Sequence, residues 1–403
     1  MPASATSAAA GTRRAALSGL AANLVGIGLA RFGYTPLLPA LVGAGWFSES
    51  DAAYLGAANF AGYLVGALLA RRMARGAAVA PVLRFMMALV VASLFACAFR
   101  DLGFAWFFLW RVASGVAGGA IMVLAAPAVL AATPMARRGV VGGIIFTGVG
   151  LGVAASGTLV PLLLRLSGLA GAWIGLAALA LLLAVFAWRG WPEPVGPAAG
   201  AASAATSGRG ALSLPVARVL AAYALNAVGL VPHMLFLVAF VARGLGRGLE
   251  AGAIYWVLFG VGALMGPLIA GRLGDRIGFA TTLRLALLVE AIAVALPALS
   301  THPVSLTLSS LIAGAMTPGI VPVALGRIHE LVPDPHGQGR CWSQATTAWA
   351  LTQAAAGYAA AHALAVAGSY ALLFSLGALA LLAALALELA TAWTRRPVLC
   401  TTG

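Results

Sequence analysis

The sequence predicts an all-α membrane protein, with twelve transmembrane helices in two pseudo-symmetric six-helix bundles and both termini in the cytoplasm. Three observations predict it. Hydrophobic residues fill 62% of the 403 positions and charged residues only 8%, whereas a soluble domain is about 25% charged; such a chain cannot clothe a water-facing surface. Its apolar residues run in stretches long enough to cross ~30 Å of hydrocarbon. Its basic residues cluster at alternate ends of those stretches, as the positive-inside rule requires.

Six stretches come first, at residues 15–41, 53–70, 78–99, 102–131, 140–164 and 169–188. A Pro/Gly/Ala/Ser-rich interval follows. Six more lie at 215–242, 251–270, 279–299, 303–325, 341–366 and 369–393. The expected organisation is therefore a cytoplasmic tail at 1–14, a first bundle at 15–188, a cytoplasmic linker at 189–214, a second bundle at 215–393 and a tail at 394–403. The apolar run after Arg13 and Arg14 is too long for a signal-peptide core and reads as a retained first helix. All 24 basic residues are arginine. With the N-terminus inside, 16 of them fall at cytoplasmic ends and 4 (Arg100, Arg165, Arg243, Arg247) outside, which fixes the expected orientation.

The halves repeat each other. At an offset of 200, Gly62, Gly66, Ala70 and Arg72 meet Gly262, Gly266, Ala270 and Arg272, Leu83 and Arg84 meet Leu283 and Arg284, and Gly157 meets Gly357. A net charge of +14 would suggest nucleic acid in a soluble protein, but these arginines flank apolar runs and no aromatics alternate with them. Cys97, Cys341 and Cys400 show neither a disulfide framework nor metal-ligand spacing, and no cofactor or metal is expected.

Ionisable residues inside spans are where function should show, because a charge near the bilayer centre costs about 3 kcal/mol even on the gentlest scale. Arg84 and Arg284 match by symmetry, lie near a cytoplasmic end and can snorkel to the headgroups, a structural role. Arg31 and Arg111 lie near mid-span, opposite Val231 and Leu311 in the repeat. Arg31, with Tyr34 a turn on and helix-bending Pro36 and Pro39, reads as a solute contact. Ser114, Gly115, Gly118 and Gly119 on the side of Arg111 let another backbone approach. Arg111 itself either serves the site or bonds helix carbonyls. Asn226 and His233 share a face of the seventh stretch with Tyr223; the histidine is either a proton or substrate group or a packed residue bonded to a carbonyl. Glu388 is within reach of Arg395 or Arg396, and Ser48-Glu49-Ser50-Asp51 has the spacing of a helix cap.

The run Gly271-Arg272-Leu273-Gly274-Asp275-Arg276-Ile277-Gly278 resembles the signature loop of the major facilitator superfamily. The run Ala30-Arg31-Phe32-Gly33-Tyr34-Thr35-Pro36-Leu37-Leu38-Pro39, with Asn59-Phe60-Ala61-Gly62-Tyr63 after it, is similar to the YbfB/YjiJ group of those transporters. The resemblance implies alternating access around a cavity lined by helices 1, 4, 7 and 10, with helices 3, 6, 9 and 12 facing outward. It makes Gly271, Arg272, Asp275, Arg276 and Gly278 a gating loop, although the first-half counterpart of Asp275 is Arg75. The run from Arg111 resembles the fourth-helix motif of proton-coupled antiporters, in which the arginine is implicated in coupling. Glu290, on the outward-facing ninth helix, then reads as a packed structural acid. Drug antiporters carry a Gly-Pro pair in the fifth helix, where this chain has Gly152-Val153.

The expected function is a secondary transporter, a single chain in the bacterial inner membrane, moving a small organic solute. Two fixed cations, Arg31 and Arg111, facing Asn226 and His233 favour an anionic or strongly polar passenger. Proton coupling stays open, and a multidrug or sugar exporter is the alternative. An intramembrane transferase would need clustered His, Asp or Glu at one membrane face, and 5 His with 10 acids are too scattered.

Overall fold

The computed structural model describes residues 3–74, 79–134, 137–192 and 213–393, which are helical with no strand among them. Helix α1 starts as Ala3–Asn23, passes through a π-helical turn at Leu24–Phe32 and continues as Tyr34–Gly43. Then come α2 (Glu49–Met73), α3 (Val79–Ala96) and α4 (Gly103–Ala131). The long run Arg138–Ala187 breaks at Gly168, whose φ of +67° suits glycine alone, and divides into α5 (138–167) and α6 (169–187). Helix α7 runs from Leu214–Val231 through π turns at Pro232–Phe236 and Phe240–Gly244. It is followed by α8 (Gly248–Ile277), α9 (Phe279–Leu299), α10 (Pro303–Leu331), α11 (Pro335–Ala367) and α12 (Tyr370–Trp393).

Among the described residues, ten stretches have the length and hydropathy to cross a membrane; one of them, Val140–Ala187, holds both α5 and α6. Helix α11 is long enough, but Thr346, Thr347, Thr352, Gln353 and His362 lower its hydropathy. Burial sorts the helices radially. The most apolar windows of α1 and α7 are 83% and 89% buried, those of α3 and α12 only 39%. The outer helices turn Phe85, Leu182 and Val185 away from the protein, a surface that hydrocarbon solvates and water does not.

Several helix ends differ from the expected bounds: α1 begins at Ala3, ahead of the apolar stretch that starts at 15, and α11 at Pro335, ahead of 341. The run from Gly271 to Ile277 is the last two turns of α8, and the loop shrinks to Gly278 at φ +81°. Nothing before Gly278 breaks the helix, and Arg276 in its last turn suits the negative end of the helix dipole. Arg272, Asp275 and Arg276 project from it exposed. Helix α10 reaches Leu331, six residues beyond the expected end, and so carries Arg327 and Glu330. Buried Glu388 therefore pairs with Arg327 at 2.9 Å and Arg284 at 3.5 Å. Its expected partners Arg395 and Arg396 lie outside the described residues, as do Arg75, the linker over 193–212 and the tail from 394. The cap before α2 forms as expected, the amide of Asp51 donating to Ser48 Oγ at 3.0 Å.

The repeat is visible in packing. A Cβ on Gly62 or Gly66 would strike the carbonyls of Val112 and Val116, and one on Gly115 the carbonyl of Asn59. In the second half Gly262 and Gly266 meet Leu311 and Ala315, and Gly314 meets Phe259. The offset is 200 between α2 and α8 but 199 between α4 and α10, so Ser310, not Leu311, stands where Arg111 stands. Arg84 donates to the Trp188 carbonyl at 2.7 Å as Arg284 reaches Glu388, the residue 200 positions on. Each half thus ties its third helix to its sixth.

The halves meet through α5 against α8 and α2 against α11. Gly157 lies on Val257, and Gly357 on Phe60 and Ala57. At the end of the bundle bearing the Gly45, Gly168 and Gly368 turns, Glu49 pairs with Arg243 at 3.7 Å and accepts from Tyr370, and Arg165 pairs with Glu250. Charged contacts thus join the halves at that end.

Gly115→Ala should destabilise the protein by about 1–3 kcal/mol, since the added methyl has backbone on its far side. Gly142→Ala, into open space, should stay within about 0.5 kcal/mol of the parent. Thermal unfolding in detergent checks both; equal midpoints would refute the packing.

Candidate functional site

The two central helices are irregular for a chemical reason. Pro36 in α1 and Pro232 in α7 lack the amide that the preceding turn would bond, and a π turn lies beside each. Arg31 sits in the first π turn. Close contacts hold that turn in place: Gly26 lies against Gly118 of α4, and Gly28 against Gly152 of α5, where a Cβ would come within 2.6 Å of backbone.

Arg31 is 6% exposed and points across to the other half. Its guanidinium donates to Gln353 Oε1 of α11 and lies 3.8 Å from Met234 Sδ of α7. Rings surround it, with centroids at 4.5 Å (Phe60), 5.1 Å (Tyr63), 5.5 Å (Phe32) and 6.0 Å (Trp349) from the guanidinium carbon. Its Nε has no hydrogen-bond partner, and among the described residues no carboxylate lies within ion-pairing distance. The cation is held by ring faces and one amide oxygen, with a donor left over.

Arg111 is differently placed. Its guanidinium donates to the carbonyls of Ala30 at 2.6 Å and Leu55 at 3.3 Å and stacks 4.2 Å from the ring of Tyr34. It thereby ties α4 to α1 and α2, next to Arg31 in the chain. Tyr34 turns its hydroxyl to the carbonyl of Ala52 at 2.7 Å. Asn59 bonds Ser114 at 2.9 Å across the same seam.

Asn226 donates to Glu290 Oε2 at 2.6 Å and accepts from Trp349 Nε1 at 3.5 Å. Glu290, read from the sequence as a packed structural acid, is wholly buried and turned onto α7. His233 is also fully buried, with Nε2 2.7 Å from Ser309 Oγ. Ser309 gives its one proton to the carbonyl of Ala293, at 2.6 Å, so the histidine donates from Nε2.

Of the five expected site residues, Arg31 alone reaches between the halves. Tyr34 and Arg111 form the brace behind it, Asn226 joins it through Trp349, and His233 packs inside the second half. Phe60, Tyr63, Met234, Trp349 and Gln353 complete the surround and were not singled out. Gln353 carried a readable signal, a neutral polar side chain amid an apolar span. Among the described residues no cluster of His, Cys, Asp and Glu could hold a metal ion.

The family described as an uncharacterised MFS-type transporter, YbfB, matches the chain over residues 23–389. No curated protein matches it.

Arg111→Ala should lower the unfolding midpoint, each lost charged hydrogen bond costing about 1.5–3 kcal/mol. Arg31→Ala should stay within about 1 kcal/mol of the parent, because it removes an uncompensated buried charge together with its ring contacts. Comparison of the two midpoints checks the assignment; equal, large losses would make Arg31 a structural residue.

Proposed function

Because the chain belongs to the YbfB-type family of major facilitator transporters, we propose that it moves a small organic anion, or a strongly polar solute, across the bacterial inner membrane by alternating access. In this reading α1 to α12 all span the bilayer, with α5 and α6 parting at Gly168 and the polar α11 included. The arginine distribution sets both termini in the cytoplasm. The end where Glu49 and Arg165 join the halves then faces outward, and one chain suffices for the cycle.

The observation that carries the proposal is the state of Arg31. A buried guanidinium that has, among the described residues, no carboxylate in reach, with a free Nε and only the neutral Gln353, Met234 and Trp349 opposite, is an incomplete pair that an anionic solute would complete. Gln353 is neutral and on the other half, so a carboxylate, sulfonate or phosphate can displace it. Exchange of that partner changes what holds α1 to α11, which is how occupancy would bias the halves. Arg111 and Tyr34 keep the π turn in place, so Arg31 meets the solute at a fixed position. A cationic drug is disfavoured by the same charge.

The test is a thermal-shift screen of purified protein against organic anions, cations and neutral solutes. An anion at about 100 times its dissociation constant should stabilise the parent by about 2.7 kcal/mol and leave Arg31→Ala unmoved. Stabilisation by cations or neutral amphiphiles alone, or an equal anion effect in Arg31→Ala, would refute it.

A further inference from the structure

We infer that Glu290 is a proton-binding site coupled to the Arg31 site through Asn226 and Trp349. The carboxyl is fully buried on α9, and among the described residues it has no cation within ion-pairing distance. One oxygen accepts from Asn226 and the other has no partner. A carboxylate in such surroundings is far less stable than the neutral acid. A buried acid with one oxygen unpartnered is poised to exchange a proton once water reaches it.

The surroundings of Glu290 bear this out element by element. Helix α7 presents Asn226, and one turn-pair further on His233, which is engaged with Ser309 of α10. Helix α12 contributes apolar Ala378 and Leu381 to the cluster that contains Ala286, Leu287 and Ala291 of α9. Arg284, on the same helix, is committed to Glu388, which Arg327 of α10 also binds. Tyr223 of α7 faces Trp349 and Trp342 of α11. Among the described residues His233, Tyr223 and Cys341 are the further titratable groups of this core, and the ring of His233 is held against Phe374.

The route to the solute site is short. Trp349 lies 6.0 Å from the Arg31 guanidinium carbon and donates to Asn226, whose other end donates to Glu290. Trp349 is one turn from Gln353 on α11. If a solute displaces Gln353, α11 shifts, Trp349 shifts with it, and the amide that stabilises the Glu290 carboxyl is released or re-aimed. Loss of that donor favours the protonated acid, so the Glu290 carboxyl takes up H⁺ from water in this step and returns it to water, leaving a carboxylate, when Asn226 donates to it again; no redox change is involved. The coupling part rests on the solute reading above, while proton binding by Glu290 does not.

Infrared difference spectroscopy of the protein in lipid vesicles, stepped between acidic and alkaline buffer, reads the carboxyl directly. The expected result is a protonated-carboxyl C=O band at neutral pH that disappears at alkaline pH, is missing in Glu290→Gln and is displaced in Trp349→Phe. In unmodified protein, glutamate labelled with ¹³C at the carboxyl should shift the same band, which keeps the test valid if Glu290→Gln does not fold. A band unchanged by Glu290→Gln or by the label, or one that does not titrate, overturns the proton site. A titrating Glu290 band that Trp349→Phe leaves in place overturns the coupling alone, and failure of anions to stabilise the parent would count against the Arg31 reading without touching Glu290.

Discussion

A guanidinium taken out of water needs acceptors or negative charge around it, and Arg31 has ring faces, a thioether and one amide oxygen. That shortage organises the centre of the molecule. The first helix must hold the arginine at the seam, which it does in a π turn fixed by Pro36 on one side and by Gly26 and Gly28 on the other. The fourth helix then supplies Arg111, which satisfies itself on carbonyls and so positions its neighbour without competing for the same partner. Two arginines that look alike in the sequence have opposite needs in the structure.

The two halves share a scaffold and diverge at the site. Interlocking glycines join α2 to α4 and α8 to α10 in the same pattern, and the third helix of each half is tied to the sixth at equivalent positions. Departures from the repeat fall at the functional centre. Arg111 is replaced by Ser310, and Asn59 by Phe259, so the first half carries the cations. The second half answers with neutral amides and a buried acid, Gln353, Asn226 and Glu290. An asymmetric filling of a symmetric frame gives a bound solute different contacts on its two sides, which a two-state carrier needs if occupancy is to shift its equilibrium.

Much of the fold was legible because it follows from transfer free energy and periodicity. Apolar runs, arginine clusters and the offset of 200 locate the helices, though α1 begins at Ala3 and α11 at Pro335, both ahead of the apolar stretches at 15 and 341. The run at Gly271 was read as a loop from its resemblance to the superfamily's signature, yet α8 continues through it and only Gly278 adopts a conformation that ends the helix. The end of α10 was set too early because Arg327 and Glu330 looked like the onset of water, while they belong to a buried ion-pair network with Glu388. Arg31 stood out because a mid-span charge is costly. Its surround did not, because Gln353, Trp349 and Met234 come from other helices, and no one-dimensional pattern says which faces of distant helices converge. Glu290 was legible as a packed acid, but its partner Asn226 on α7 was not, because which helix faces it is set by packing.

The most direct measurement is an experimental structure of the protein prepared with a heavy-atom anion such as bromide, with the anion located by anomalous scattering. The account expects density beside the Arg31 guanidinium with Gln353 displaced from it. Density elsewhere only, with the Arg31–Gln353 contact intact, would contradict the claim that an unfilled cation between the halves is the seat of the passenger.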